Sequence, residues 1–213
     1  MQKATEKQRQ RRTQERAELT KRKLLDVAIL EFSERGFDAV TVRDIEQRAG
    51  VQRNLLNYHF GSKDGIWTAA AEDLLNRLEG FMSPREELIR DLSAHERVAY
   101  SIRSYVRFAA ANPEFNRLMI QEGKHDSWRM HWLVDNYLRP ATSRLRELLK
   151  IDLGLDEEEF MHWHYIFAGG GALMFSMAPE AKRLFDVDVT DDSVIDHHAG
   201  LMADFLLSRS SDD

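Results

Sequence analysis

The stretch TVRDIEQRAGVQRNLLNYHFGSK, residues 41–63, decides how this chain is read. Thr41 is a residue type that caps exposed helix amides, and Asp44, three positions on, favours the positive end of a helix. Val42, Ile45 and Ala49 give that helix a buried side, and Gly50 ends it. Val51, Leu55, Leu56 and Phe60 then carry the apolar spacing of a second, short helix. Two short helices joined at a glycine have the layout of a helix-turn-helix, in which the first braces across a nucleic-acid backbone and the second offers its polar side to the major groove. Ile45, Ala49, Val51 and Leu56 are the apolar residues that would hold the angle between them. Gln52, Arg53 and Asn57 are left for the outer face, and these side chains suit base edges: Arg pairs with guanine O6/N7, Gln and Asn with adenine N6/N7. Lys63 opens the next helix, where it could join the first amides in holding a phosphate.

Outward from this stretch the chain reads as all-α. No sustained period-2 alternation and no hairpin turn interrupts the helical spacing. A helix over about 18–35 places Leu24, Leu25, Ala28, Ile29 and Phe32 on one stripe and closes at Gly36. Another runs from 63 into the late 70s. Beyond GFMSP (residues 80–84) longer helices follow: about 95–111, stopped at Asn112-Pro113; a short one through Phe115, Leu118 and Met119; about 127–150, which Pro140 must kink or restart; then about 156–176 and 191–208. Residues 1–17 form a polar, basic N-terminal extension, either a mobile tail or a continuation of the first helix. Residues 18–63 form a three-helix DNA-binding domain, and 64–213 a helical bundle.

Charge divides along the same line. Residues 1–63 hold 14 Lys and Arg against 9 Asp and Glu, a net of +5, while the whole chain is at −6, which leaves −11 for the remainder. A basic front on an acidic body suits one end to a polyanion. The absence of cysteine removes disulfides, thiolate metal sites and a thiol nucleophile. No apolar run approaches bilayer length and no apolar core follows the basic start, so neither membrane insertion nor a secretory signal is expected, and a cytoplasmic location is.

The segment KLLDVAILEFSERGFDAVTVRDIEQRAGVQRNLLNYHFGSKDGI, residues 23–66, resembles the DNA-binding domain of TetR-family transcriptional regulators. The marks are Glu34-Arg35-Gly36-Phe37, Thr41-Val42-Arg43-Asp44-Ile45, Ala49-Gly50-Val51, and Tyr58-His59-Phe60 followed by Ser62-Lys63. The resemblance implies a three-helix head, a divergent helical body that holds a ligand, and a homodimer. It places Thr41 and Arg43 toward backbone phosphates, and Arg53, Tyr58, His59 and Lys63 at positions that meet DNA. The sequence departs from the family pattern at Asn54, where a small residue is usual, at Leu55, where Thr or Ser is usual, and at Asn57, where a Tyr is usual. With Gln52, Asn54 and Asn57 from the outer face, the candidate DNA-binding set is Thr41, Arg43, Gln52, Arg53, Asn54, Asn57, Tyr58, His59 and Lys63.

PEFNRLMIQEG (113–123) and WLVDNYLRPATSRLRELL (132–149) resemble regulatory-domain segments of the same family. By that resemblance the last two long helices pair with their symmetry mates across a homodimer, and double-stranded operator DNA and a small molecule of unspecified identity are the partners of what is most often a repressor. YIFAGGGALMF (165–175) adds its own evidence, because Gly169, Gly170 and Gly171 are poor helix formers that imply a close helix approach or a local break. Candidate ligand contacts are the aromatics Tyr105, Phe108, Phe115, Trp128, Trp132 and Trp163 with the polar Arg103, Gln121, His125, His131 and His164. No cofactor is implied, and the paired histidines (162 and 164, 197 and 198) lack the i, i+4 spacing of a helical metal site. The competing reading is an all-helical enzyme or metal-binding bundle with an incidental basic front. Its densest acidic cluster, DEEEF at 156–160, is explained by the positive end of a helix.

Overall fold

The computed structural model describes residues 2–82, 90 and 92–208. Its elements are α-helices α1 (Gln2–Arg35), α2 (Val42–Arg48), α3 (Leu55–Phe60), α4 (Lys63–Met82), α5 (Ala94–Ala111), α6 (Pro113–Gly123), α7 (Trp128–Leu133), a π-turn (Val134–Leu138), α8 (Arg139–Leu153), α9 (Glu157–Ser176), α10 (Ala178–Phe185) and α11 (Asp192–Leu207). No strand occurs among the described residues, as the helical spacing leads one to expect. The chain falls into two compact units, Met1–Asp73 and Leu74–Asp213. The division lies inside α4, further along than the 63/64 boundary expected from the sequence.

In the N-terminal unit, residues 2–17 continue the first helix, and α1 is a single helix of 34 residues. Gly36, at φ +77°, closes it as a left-handed cap. Four of the five stripe residues read from the sequence are core: Leu24, Ala28 and Phe32 are fully buried with Val40, Ile45, Leu56, Ile66 and Trp67, Ile29 is 4% exposed, and Leu25 is half-buried. α2 and α3 pack on α1 and on one another. The start of α3 differs from expectation. It begins at Leu55, so Val51, Gln52 and Arg53 precede it in a turn rather than forming its first winding.

The C-terminal unit is built around α5, which packs against α6, α8, α9 and α11. A capping box starts it: the Ser93 hydroxyl oxygen accepts the Glu96 N–H, and the Ser93 N–H returns a bond of 2.9 Å to the Glu96 carboxylate. Val98, Ile102, Tyr105, Val106, Phe108 and Ala109 fill the centre. Pro140 does break the 127–150 helix, through a five-residue π-turn that ends just before it. The wider turn makes room for a ring that would clash with the carbonyl four residues back. α10 has no counterpart in the sequence reading; Pro179 sits in its first turn, where its missing N–H is harmless.

Of the two alternatives for the three glycines, the structure takes the close approach, and α9 runs unbroken through them. A Cβ on Gly171 would lie 3.0 Å from the Tyr105 ring, and one on Gly170 would lie 2.9 Å from the terminal methyl of Met202. Gly169 has open space above it. Gly171 and Gly170 therefore seat α9 against α5 and α11.

Candidate nucleic-acid interface

α2 is placed by local chemistry. The Thr41 hydroxyl oxygen accepts the Asp44 N–H at 3.1 Å, and the Thr41 N–H donates to the Asp44 carboxylate at 3.0 Å. The Thr41 N–H and, after it, the Thr41 hydroxyl hold the Asp44 carboxyl below its ordinary range. Thr41 is exposed, and Arg43, in the first turn of the helix, is exposed beside it.

A second device, absent from the sequence reading, ties α2 to α1. Glu31 is buried at 4% exposure and is met by two guanidinium groups, Arg35 at 2.6 Å and Arg48 from the last turn of α2. Burial alone would raise its pKa, but the bonds from Arg48 and Arg35 outweigh burial and hold it below the usual carboxylate range. Arg48 also lies 3.6 Å from Glu34. Arg48 thus braces the head.

The connection from α2 to α3 is held through Glu46, 5% exposed. Its backbone carbonyl accepts the Val51 N–H at 3.1 Å, and its side-chain Oε1 accepts the Leu56 N–H at 3.1 Å. The signal for it was present: Glu46 stands four residues after Val42, on the inward stripe of α2. Asn54 lies between, at φ +68°, with no side-chain cap bond. The left-handed region is open to Asn more readily than to most residues, which is how this chain does without the usual small residue there.

Gln52, Arg53, Asn54, Asn57 and Tyr58 are all exposed, whereas Leu56 is fully buried and Leu55 half-buried. Tyr58 is 79% exposed and touches the edge of the His59 ring at 4.9 Å between centroids. His59 is half-buried, between Tyr58 and Phe60. Lys63 is half-buried as well, with its ammonium 4.1 Å above the Phe37 ring. Beside it the Ser62 hydroxyl oxygen accepts the Gly65 N–H at 3.1 Å, and a Cβ on Gly65 would lie 2.0 Å from the Phe60 carbonyl oxygen, so the α3–α4 corner admits only glycine there. The chain therefore gathers Thr41 and Arg43 at the start of α2, and Gln52, Arg53, Asn54, Asn57 and Tyr58 on the turn and outer side of α3. Polar, uncharged and cationic groups together fit a surface that meets both phosphates and base edges.

The candidate ligand residues separate into two groups. Tyr105, Phe108, Phe115 and Trp163 are buried and linked ring to ring through Phe167, with Tyr105–Phe167 at 4.5 Å and Trp163–Phe167 at 5.0 Å. The sequence reading omitted Phe167, although it follows Trp163 by four residues on α9. The Tyr105 hydroxyl donates to the Ala168 carbonyl at 3.2 Å, and burial pushes its pKa up to about 12. His164 is half-buried against Phe160, and burial lowers its pKa. Gln121 and Trp132 are half-buried, the latter against Tyr137. Arg103, His125, Trp128 and His131 lie on the exterior, His131 bonded to Asp126 at 2.5 Å. Arg129 and Glu122 form a buried ion pair at 2.8 Å. Among the described residues no three His, Asp or Glu gather as a metal site, and no helix is long and apolar enough to cross a membrane.

Residues 24–70 match the sequence model of a family described as bacterial regulatory proteins, tetR family. Over 92% of its length the chain is 23% identical to the HTH-type transcriptional dual regulator CecR of Shigella flexneri, of which it spans 96%. It is 38% identical over 101 residues to the HTH-type transcriptional regulator BetI of Brucella canis, a match confined to 44% of this chain and 45% of that one. Among solved structures, a TetR-like transcriptional regulator from Rhodococcus sp. RHA1 shares the fold, with a TM-score of 0.60 over 89% of this chain and 94% of its own at 18% identity.

Proposed function

We propose that this chain, a member of the TetR family of bacterial transcriptional regulators, acts as a homodimeric repressor that a small molecule releases from its operator. The family match sets aside the enzyme and metal-bundle readings. The observation that carries the DNA-binding surface is the locked α2–α3 pair, with Gln52, Arg53, Asn57 and Tyr58 exposed beyond it. In this reading Arg53 and the amides of Gln52, Asn54 and Asn57 meet base edges in the major groove. Thr41, Arg43, Tyr58, His59 and Lys63 meet the backbone and fix the register.

Support for the dimer comes from α9 and α11. Met161, Tyr165, Ile166 and Leu173 on α9 and Met177 at its C-cap, with Leu201 and Phe205 on α11, are large apolar side chains left between 41% and 72% exposed. The two helices are neighbours: Trp163 Nε1–H donates to the Leu206 carbonyl at 3.4 Å, and His198 Nε2 bonds the Gly170 carbonyl at 2.9 Å. An exposed apolar face of this extent marks an interface, and a second copy of the same pair covers it isologously. In this reading the C-terminal unit, which carries the buried aromatic cluster around Tyr105 and Phe167, is the ligand-responsive part. A ligand that favours the DNA-free protein weakens operator binding by the ratio of its affinities for the two states, and DNA weakens the ligand equally.

Selection of bound sequences from a random duplex pool tests the reading. The expected outcome is a palindrome with half-sites about one helical turn apart. Arg53→Ala should relax preference at one position of each half-site, and Lys63→Ala should weaken binding to all sequences alike. Recovery of no motif would overturn the proposal.

A further inference from the structure

The six residues of α3 are too few to hold a helix by themselves, and the first-turn amides of any helix lack acceptors within it. The usual remedy is the side chain at the N-cap. Here that residue, Asn54, is left-handed and makes no cap bond. The acceptor comes instead from the preceding helix, through the buried Glu46 carboxyl on the Leu56 N–H, while the backbone carbonyl of the same residue holds Val51. One residue thus grips residues 51–56 at both ends, and the exposed Gln52, Arg53 and Asn54 lie between the grips.

We propose that Glu46 is a positioning residue for sequence recognition, capping α3 from α2 and setting the register at which Gln52, Arg53 and Asn57 are offered to base edges. It touches no DNA itself. The carboxyl occupies one amide at the front of α3 that would otherwise be open to a phosphate, so α3 reads through side chains. An acceptor at this spot is the requirement, and glutamine supplies it without charge. Loss of the acceptor lets α3 shift against α2, which spoils base contacts and moves the backbone contacts of Tyr58 and His59 on α3, while those of Thr41 and Arg43 at the start of α2 stay in place. The signature is a loss of selectivity larger than the loss of general DNA affinity.

The inference rests on the DNA-binding reading, and the test separates the two. The full-length protein and its Glu46→Ala and Glu46→Gln variants are titrated with the selected operator and with a scrambled duplex, and amide exchange at Leu56 is followed in each without DNA. Expected for Glu46→Ala is at least a tenfold fall in operator-over-scrambled preference, a smaller fall in scrambled affinity and faster Leu56 exchange; Glu46→Gln restores both preference and protection. Wild-type preference in folded Glu46→Ala would overturn the inference, as would a Glu46→Gln protein as unselective as the alanine variant. Should the alanine variant fail to fold, Leu56 protection in wild type and in Glu46→Gln decides: a Leu56 amide exchanging as freely as an unstructured one overturns the inference. A wild type that selects no motif counts against the DNA-binding reading, and protected Leu56 then still supports Glu46 as the cap.

Discussion

Asn54 occupies a backbone conformation, φ +68° and ψ 0°, that few side chains tolerate. Asparagine adopts it because its short amide is accommodated there, whereas a β-branched residue meets its own carbonyl. Asn54→Val should therefore destabilise the head by about 1–2 kcal/mol, and Asn54→Gly should stay near neutral because glycine gains ease in the folded state and freedom in the unfolded one. Urea unfolding followed by helix signal measures both, and equal stability of all three proteins would show that the left-handed turn is not enforced. At this scale the sequence is only partly legible. Asn54 stands out as a departure from the family pattern, yet nothing in its neighbours announces the sign of φ. The inward place of Glu46 on α2 follows from its spacing to Val42, but its partner does not, since Leu56 lies ten residues on and no helical period joins them.

Among the elements, legibility follows the range of the interaction. α2 can be read directly, because Thr41 and Asp44 spell a capping box within four residues. The break before Pro140 is equally local. The junction of α1 with α2 is not, because Glu31 and Arg48 meet across seventeen positions. That junction carries a pH dependence. With its pKa depressed on folding, Glu31 contributes stability that is fully present above the unfolded-state carboxylate pKa, and that is lost as pH falls through the lower folded value. Glu31→Gln should flatten the acid side of the stability profile of the head relative to wild type, read from urea midpoints taken from neutral into acid solution; an unchanged acid limb would show that Arg35 and Arg48 do not stabilise the ionised form. Arg48→Leu, which leaves Glu31 with one partner in place of two, should destabilise by about 1–3 kcal/mol at neutral pH.

For the molecule as a whole, the apolar face of α9 and α11 is where association should be decided. Replacing Tyr165 or Phe205 by Asp places a charge on each side of a two-fold contact, so both copies repel at once. The expected result is a folded monomer by sedimentation, with operator affinity reduced at least tenfold because each half-site is then bound alone. A dimer that persists in both variants would locate the interface elsewhere. The division into a basic front and an acidic body is visible in composition, but composition overstates the front. Arg22 already faces Asp26 and Asp73, Arg35 faces Glu31, and Arg48 faces Glu31 and Glu34. Cations neutralised within the protein displace few counterions from a duplex. Raising the ionic strength should therefore loosen this protein from DNA less steeply than 14 basic residues suggest, and occupancy of its operator would hold through osmotic swings that strip more openly cationic proteins from the chromosome.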